Sequence, residues 1–102
     1  PCLAWAFVAQ EGGGAIATVP STRLSYFYIG EYVDQGLEGL HGILFFKGYE
    51  EGTTPGEMLV SAHNDYLATI PIAYNSDSIH DVKTIEEFIL LGDPSLKIGG
   101  YP

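Results

Sequence analysis

Apolar residues in the first half of the chain fall into two kinds of run. Leu3, Ala4, Phe7 and Val8 recur at helical spacing behind Pro1, which predicts a short helix over residues 1–10. Proline suits a first turn, because its missing N–H would lack a partner there anyway. Glu11-Gly12-Gly13-Gly14 ends the helix, since glycine takes left-handed backbone at little cost. Ala15 to Val19 then runs without a charge. Small side chains bounded by Gly and Pro predict a central parallel strand covered on both faces. Pro20-Ser21-Thr22 marks its end, and the aromatics Tyr26, Phe27 and Tyr28 follow.

Val33, Leu37, Leu40 and Leu44 return to helical spacing, with Gly36, Gly39 and Gly42 on one stripe. Each glycine weakens a helix by roughly 1 kcal/mol relative to alanine, so the stripe points to close packing against a neighbour. Gly48 to Gly56 is a turn. Pro55 opens a second helix whose expected buried stripe is Leu59, Ala62, His63, Tyr66, Leu67 and Ile70, ended by Pro71. Asn75 to Asp81 is a polar loop. Thr84 and Glu87 have the spacing of a capping box. Phe88 to Leu91 continues as an apolar turn or strand, Gly92-Asp93-Pro94-Ser95 breaks it, and Leu96-Lys97-Ile98 predicts a brief last strand. Helical segments therefore outnumber strands, and one parallel strand cannot satisfy its own backbone groups. A start inside an apolar run and this shortage of strands together suggest a unit that is incomplete.

The 102 residues suffice for one small domain, and 46% apolar content supplies material for a core. Four basic residues against thirteen acidic give a formal charge of −9. That balance argues against nucleic acid or an anionic membrane as partner, because both select basic patches. No apolar run reaches the roughly 20 residues of a membrane span. The single cysteine, Cys2, cannot form an internal disulfide.

Candidate chemistry is thin. Cys2 is the one possible thiol nucleophile, yet no spacing brings His41, His63 or His80 to it, and it reads as a small buried residue of the first turn. No HxH or HExxH pattern offers metal-ligand spacing. His63 with Asn64 and Asp65 forms a polar trio, and His80 beside Asp81 an oriented imidazole, both alternatives to plain surface histidines. Ser76, Asp77, Ser78 and Asp81 could offer oxygens to calcium, although they lack EF-hand spacing and suit a solvated turn. Gly12 to Gly14 precede a strand and so form no phosphate-binding loop. Asp93 before Pro94 fits an Asx turn. Ser21, Thr22, Arg23, Tyr26, Phe27 and Tyr28 follow the end of the best strand, where open α/β sheets place binding residues. They form either a pocket wall or a cover for the sheet edge.

Three blocks of this sequence carry a family likeness. They are Pro1-Cys2-Leu3-Ala4-Trp5-Ala6-Phe7, Gly14-Ala15-Ile16-Ala17-Thr18-Val19-Pro20-Ser21-Thr22, and Phe88-Ile89-Leu90-Leu91-Gly92-Asp93-Pro94-Ser95-Leu96. Their order and separation resemble the C-terminal part of the catalytic domain of gingipain-type cysteine peptidases, the C25 family. The resemblance implies an α/β fold, the C-terminal portion of a caspase-like three-layer αβα domain with few parallel strands of its own. It makes residues 1–102 one partial domain. The catalytic His and Cys of the family precede this segment, so Cys2 looks structural. Ser21 and Thr22 with the aromatics resemble the loop that walls the substrate pocket, and Phe27 is the nearest match to the family's pocket tryptophan. The resemblance further implies an extracellular or cell-surface setting and a peptide substrate for the complete enzyme; no cofactor is expected, with calcium at the Asp77 to Asp81 loop as the alternative. The expected partner is the remainder of the peptidase domain or a swapped second copy. The rival reading is a non-catalytic acidic α/β module that binds a protein through the Tyr26 to Tyr28 surface.

Overall fold

The computed structural model describes residues 2–22, 24, 26–70 and 79–98. In chain order these form α1 (Leu3–Ala9), β1 (Ala17–Thr18), a 3-10 turn (Gly30–Tyr32), α2 (Leu37–Lys47), α3 (Pro55–Thr69), α4 (Ile79–Glu87) and β2 (Leu91–Gly92). Helix and a small sheet are thus mixed, as an α/β chain requires.

The core lies where α2, α3 and α4 meet. Leu44, Ala62 and Tyr66 are buried there, with Leu40, Phe45, Ile70 and Ile85 packed around them. The sequence places α3 well: Thr54 caps it by accepting the Glu57 N–H at 3.2 Å, and Pro55 occupies the first turn. The helix stops at Thr69, and Ile70 turns to extended backbone (φ −106°, ψ 116°), as a residue before proline favours. Its buried line is Pro55, Met58, Ala62 and Tyr66. That line is rotated from the expected stripe: Leu67 is exposed and Leu59 half-buried, while Met58 and Tyr66 are the buried large side chains of the helix.

α2 begins later than the Val33 spacing suggests, and Val33 stays exposed. Its first residue, Leu37, has φ +54°, a left-handed conformation that costs a non-glycine residue roughly 1–2 kcal/mol. Burial of the Leu37 side chain and donation of its N–H to the Tyr66 hydroxyl at 2.9 Å offset that strain. The glycine stripe does serve close packing at two of its positions. A Cβ on Gly36 would meet the Tyr28 ring, and one on Gly39 would overlap the Val33 carbonyl oxygen; beside Gly42 there is open space.

The sheet corrects the strand reading. β1 pairs with β2 antiparallel, Ala17 opposite Gly92 and Thr18 opposite Leu91. An uncharged run signals cover on both faces but carries no information about a neighbour's direction, and the segment after α4 returns against β1. Ser21 bridges Phe88 in the same register, so the ladder resumes past Pro20. Leu96 to Ile98 is no strand; the N–H of Ile98 donates instead to the Thr53 carbonyl at 2.9 Å, beside the start of α3. The capping box is also misplaced. Thr84 lies inside α4, where its hydroxyl donates to the His80 carbonyl four residues back at 2.9 Å. The expected polar loop ends sooner, since Ile79 to Asp81 are helical, while residues 75–78 lie outside the described ones. Ala15 N–H donates to the Phe7 carbonyl at 2.9 Å, and a Cβ on Gly14 (φ +82°) would overlap that oxygen, so the glycine end of α1 is required locally.

Candidate functional site

Four polar side chains, in two hydrogen-bonded pairs, organise the seam between the helices. Tyr66 is fully buried; its hydroxyl accepts the Leu37 N–H and donates to Asp81 Oδ1 at 2.5 Å. Burial, followed by the Asp81 carboxylate, pushes the phenol pKa up, so it stays neutral. His41 of α2 is 2% exposed, and its Nε2 lies 3.0 Å from Nδ1 of His63 on α3. One ring must donate and the other accept, which requires a neutral imidazole on at least one side. Burial first, and His63 second, lower the His41 pKa to about 4, and burial also lowers that of His63. Phe88 stacks on the His41 ring at 4.9 Å between centres, with 15° between the planes.

A cavity of about 470 Å³ opens between β1 and α2. Its wall is mainly apolar, with Val19, Phe45, Phe46 and Phe88 among the lining residues and Glu38 and His41 as its titratable groups. Ile16 to Val19 form one side, and none of Ser21, Thr22, Tyr26, Phe27 and Tyr28 lines it.

The aromatic segment divides at Tyr26. Ser21 is half-buried on the ladder, and the Thr22 N–H donates to the Glu87 carbonyl at 3.0 Å. The Tyr26 ring tilts over His80 at 4.1 Å, and its carbonyl accepts the Glu38 N–H at 3.1 Å. Beyond it, Phe27 is 60% exposed and joins Val33, Ile43 and Phe46 along a groove on the outer face of α2. Tyr28 turns away to pack on Gly36 and shares a shallow hollow with Ile29 and Tyr32. Ser21, Thr22 and Tyr26 therefore stand along α4 and the residues after it, while Phe27 and Tyr28 stand beside α2. Arg23 lies outside the described residues.

Other expected groups are placed differently. Cys2 is exposed before α1, not buried in its first turn, because that helix buries none of its residues. His80 stacks on Tyr26, and His41 and His63 bond each other, so none of the three pairs with Cys2. Of the possible calcium oxygens, Asp81 Oδ1 takes the Tyr66 hydroxyl, and residues 76–78 lie outside the described ones. Among the described residues, no three His, Cys, Asp or Glu side chains are grouped to hold a metal ion, and no helix is long and apolar enough to cross a membrane. Asp93 does make the Asx turn: its Oδ1 accepts both N–H (2.9 Å) and hydroxyl (2.6 Å) of Ser95, which hold the carboxyl pKa down. The Pro94 carbonyl then accepts the Gly56 N–H at 3.1 Å, docking the closing block on the start of α3. Helical spacing from Leu37 and Leu44 is the signal that places His41 on the inner face, although it does not name His63 as the partner; Lys83 and Glu87 had an i,i+4 signal of their own.

The second and third sequence blocks thus meet in the ladder, the third also docks on the start of α3, and the first forms α1. The family model for peptidase family C25 matches residues 1–99. The chain belongs to peptidase family C25. Searches of curated proteins and of solved structures return no match. Membership makes this chain a segment of cysteine-peptidase sequence.

Proposed function

We propose that this chain forms the C-terminal portion of a caspase-like three-layer αβα domain in a cysteine endopeptidase. It walls the substrate pocket with Ser21, Thr22, Tyr26, Phe27 and Tyr28 and supports the sheet through the β1–β2 ladder. The catalytic His and Cys belong to residues outside this chain. In the complete enzyme the reaction is acyl transfer through a thiolate and a histidine, with backbone N–H groups at the oxyanion. The observation that carries the reading is the C25 match over residues 1–99 together with a lone exposed Cys2 that no imidazole accompanies.

Packing supports the same reading. β1 has one hydrogen-bonded neighbour among the described residues, and α1 leaves Leu3, Trp5 and Phe7 exposed. A seven-residue helix is too short to persist on propensity, so an apolar cover is expected over it. The remainder of the peptidase domain supplies that cover and the neighbouring strands, or a swapped second copy does. Export to the cell surface or beyond belongs to the same proposal. The test is hydrolysis of peptides by the protein that carries this chain. Alkylation of thiols should abolish it, and Cys2→Ala should leave it within about twofold of the parent rate. Complete loss of turnover in Cys2→Ala, with the fold intact, would place the nucleophile in this chain and overturn the reading.

A further inference from the structure

One side of α4 and the residues after it hold Pro20 to Thr22, Leu24 and Tyr26. The Ile89 N–H donates to the Pro20 carbonyl at 3.2 Å, Ser21 bridges Phe88, and the Thr22 N–H donates to the Glu87 carbonyl at 3.0 Å. Side chains then take over. The Lys83 ammonium donates to the Leu24 carbonyl and to Glu87 Oε1, and it stands 5.1 Å from the centre of the Tyr26 ring. His80, one turn earlier on the same face, carries that ring from below. A cation, an aromatic ring and a carbonyl are thus gathered at one point, which backbone pairing does not require.

Burial makes this pair unlike an ordinary i,i+4 surface pair. Glu87 is 6% exposed, and its Oε2 is buried without a hydrogen-bond partner. A buried carboxylate depends on its partners for stabilisation, and here the Lys83 ammonium is the one cationic partner its side chain has among the described residues. Exposed pairs exchange freely with water and hold little in place. This ammonium cannot swing into solvent without stranding the carboxylate, so it stays, and Leu24 and Tyr26 stay with it.

We propose that Lys83 and Glu87 are a positioning pair, fixing where the Ser21 to Tyr28 segment stands for substrate. The proposal rests on the reading of that segment as a pocket wall. Neither residue touches the reacting atoms; both act through Leu24 and Tyr26. Loss of the pair should weaken substrate binding and leave the chemical step alone.

The test compares Lys83→Met, Glu87→Gln and Lys83→Arg in the full peptidase that carries this chain, by hydrogen exchange and by steady-state kinetics. In Lys83→Met, amides of residues 22–28 should exchange about tenfold faster while α2 and α3 keep their protection. KM for a peptide substrate should rise about tenfold with kcat within about twofold, and Lys83→Arg should restore both readouts. Glu87→Gln keeps the shape and is expected to show the same division at smaller size, which preserves the test if Lys83→Met fails to fold. Unchanged exchange over residues 22–28 in folded variants overturns the positioning pair, whatever the kinetics. Faster exchange with KM unchanged overturns it through the pocket-wall reading instead. A fall in kcat at constant KM overturns it as well.

Discussion

At the scale of single residues, the seam between α2 and α3 depends on protonation. His41 has a pKa lowered to about 4 by burial and by His63, against about 6.5 in an unfolded chain. The unfolded state therefore binds more protons across that interval, and stability falls as pH drops from 6.5 toward 4. Between pH 7 and pH 5 the loss from His41 is expected to be about 2 kcal/mol, and His63, shifted in the same direction, adds to it. Denaturant unfolding of the peptidase domain at the two pH values checks this, and His41→Leu should flatten the dependence. Tyr66→Phe leaves the Leu37 N–H and Asp81 Oδ1 without their shared partner and should cost about 1–3 kcal/mol by the same measurement. Helical spacing put Tyr66 on an inward face, and the spacing of Leu37 and Leu44 extends to His41, which the sequence reading did not place there. Their partners were not legible, because hydrogen bonds across 15 to 29 residues leave no local pattern.

At the scale of elements, caps and glycines separate what local sequence decides from what tertiary contacts decide. Thr54 is a local cap, so Thr54→Ala should lower domain stability by about 1 kcal/mol in thermal or denaturant unfolding. Gly39→Ala should be more severe, about 1–3 kcal/mol, since the new methyl would overlap the Val33 carbonyl; Gly42→Ala, which meets open space, should be near neutral by comparison. The α3 boundaries and the Asp93 turn were readable because Thr, Pro and Asp act on backbone within three residues. Thr84 misled for a related reason. The same hydroxyl that caps a helix start can bond back to the carbonyl four residues earlier, and the start of α4 at Ile79, five residues before Thr84, decides between them. Strand direction was unreadable, as burial pattern is the same for parallel and antiparallel neighbours.

At the scale of the whole molecule, the three-helix seam has a core while the sheet side has a cavity and an apolar surface. Leu3, Trp5 and Phe7 on α1, Ile16 beside β1, and Phe27 with Phe46 along α2 are all substantially exposed. Apolar area of that extent on one chain marks a surface made to be covered. Composition could not reveal this, because 46% apolar content is compatible with a closed core or with an open one. The C25 blocks did carry the family, since they fall where the ladder and the closing turn need small residues, Gly and Pro. As proposed above, these 102 residues are a wall and a support that pack on the rest of a cysteine peptidase domain. Sedimentation equilibrium of the isolated chain, read beside its near-UV circular dichroism melt, tests that packing most directly. Self-association at micromolar concentration or a melt without a cooperative transition is expected; a monomer that unfolds in one sharp cooperative step would rule out such packing.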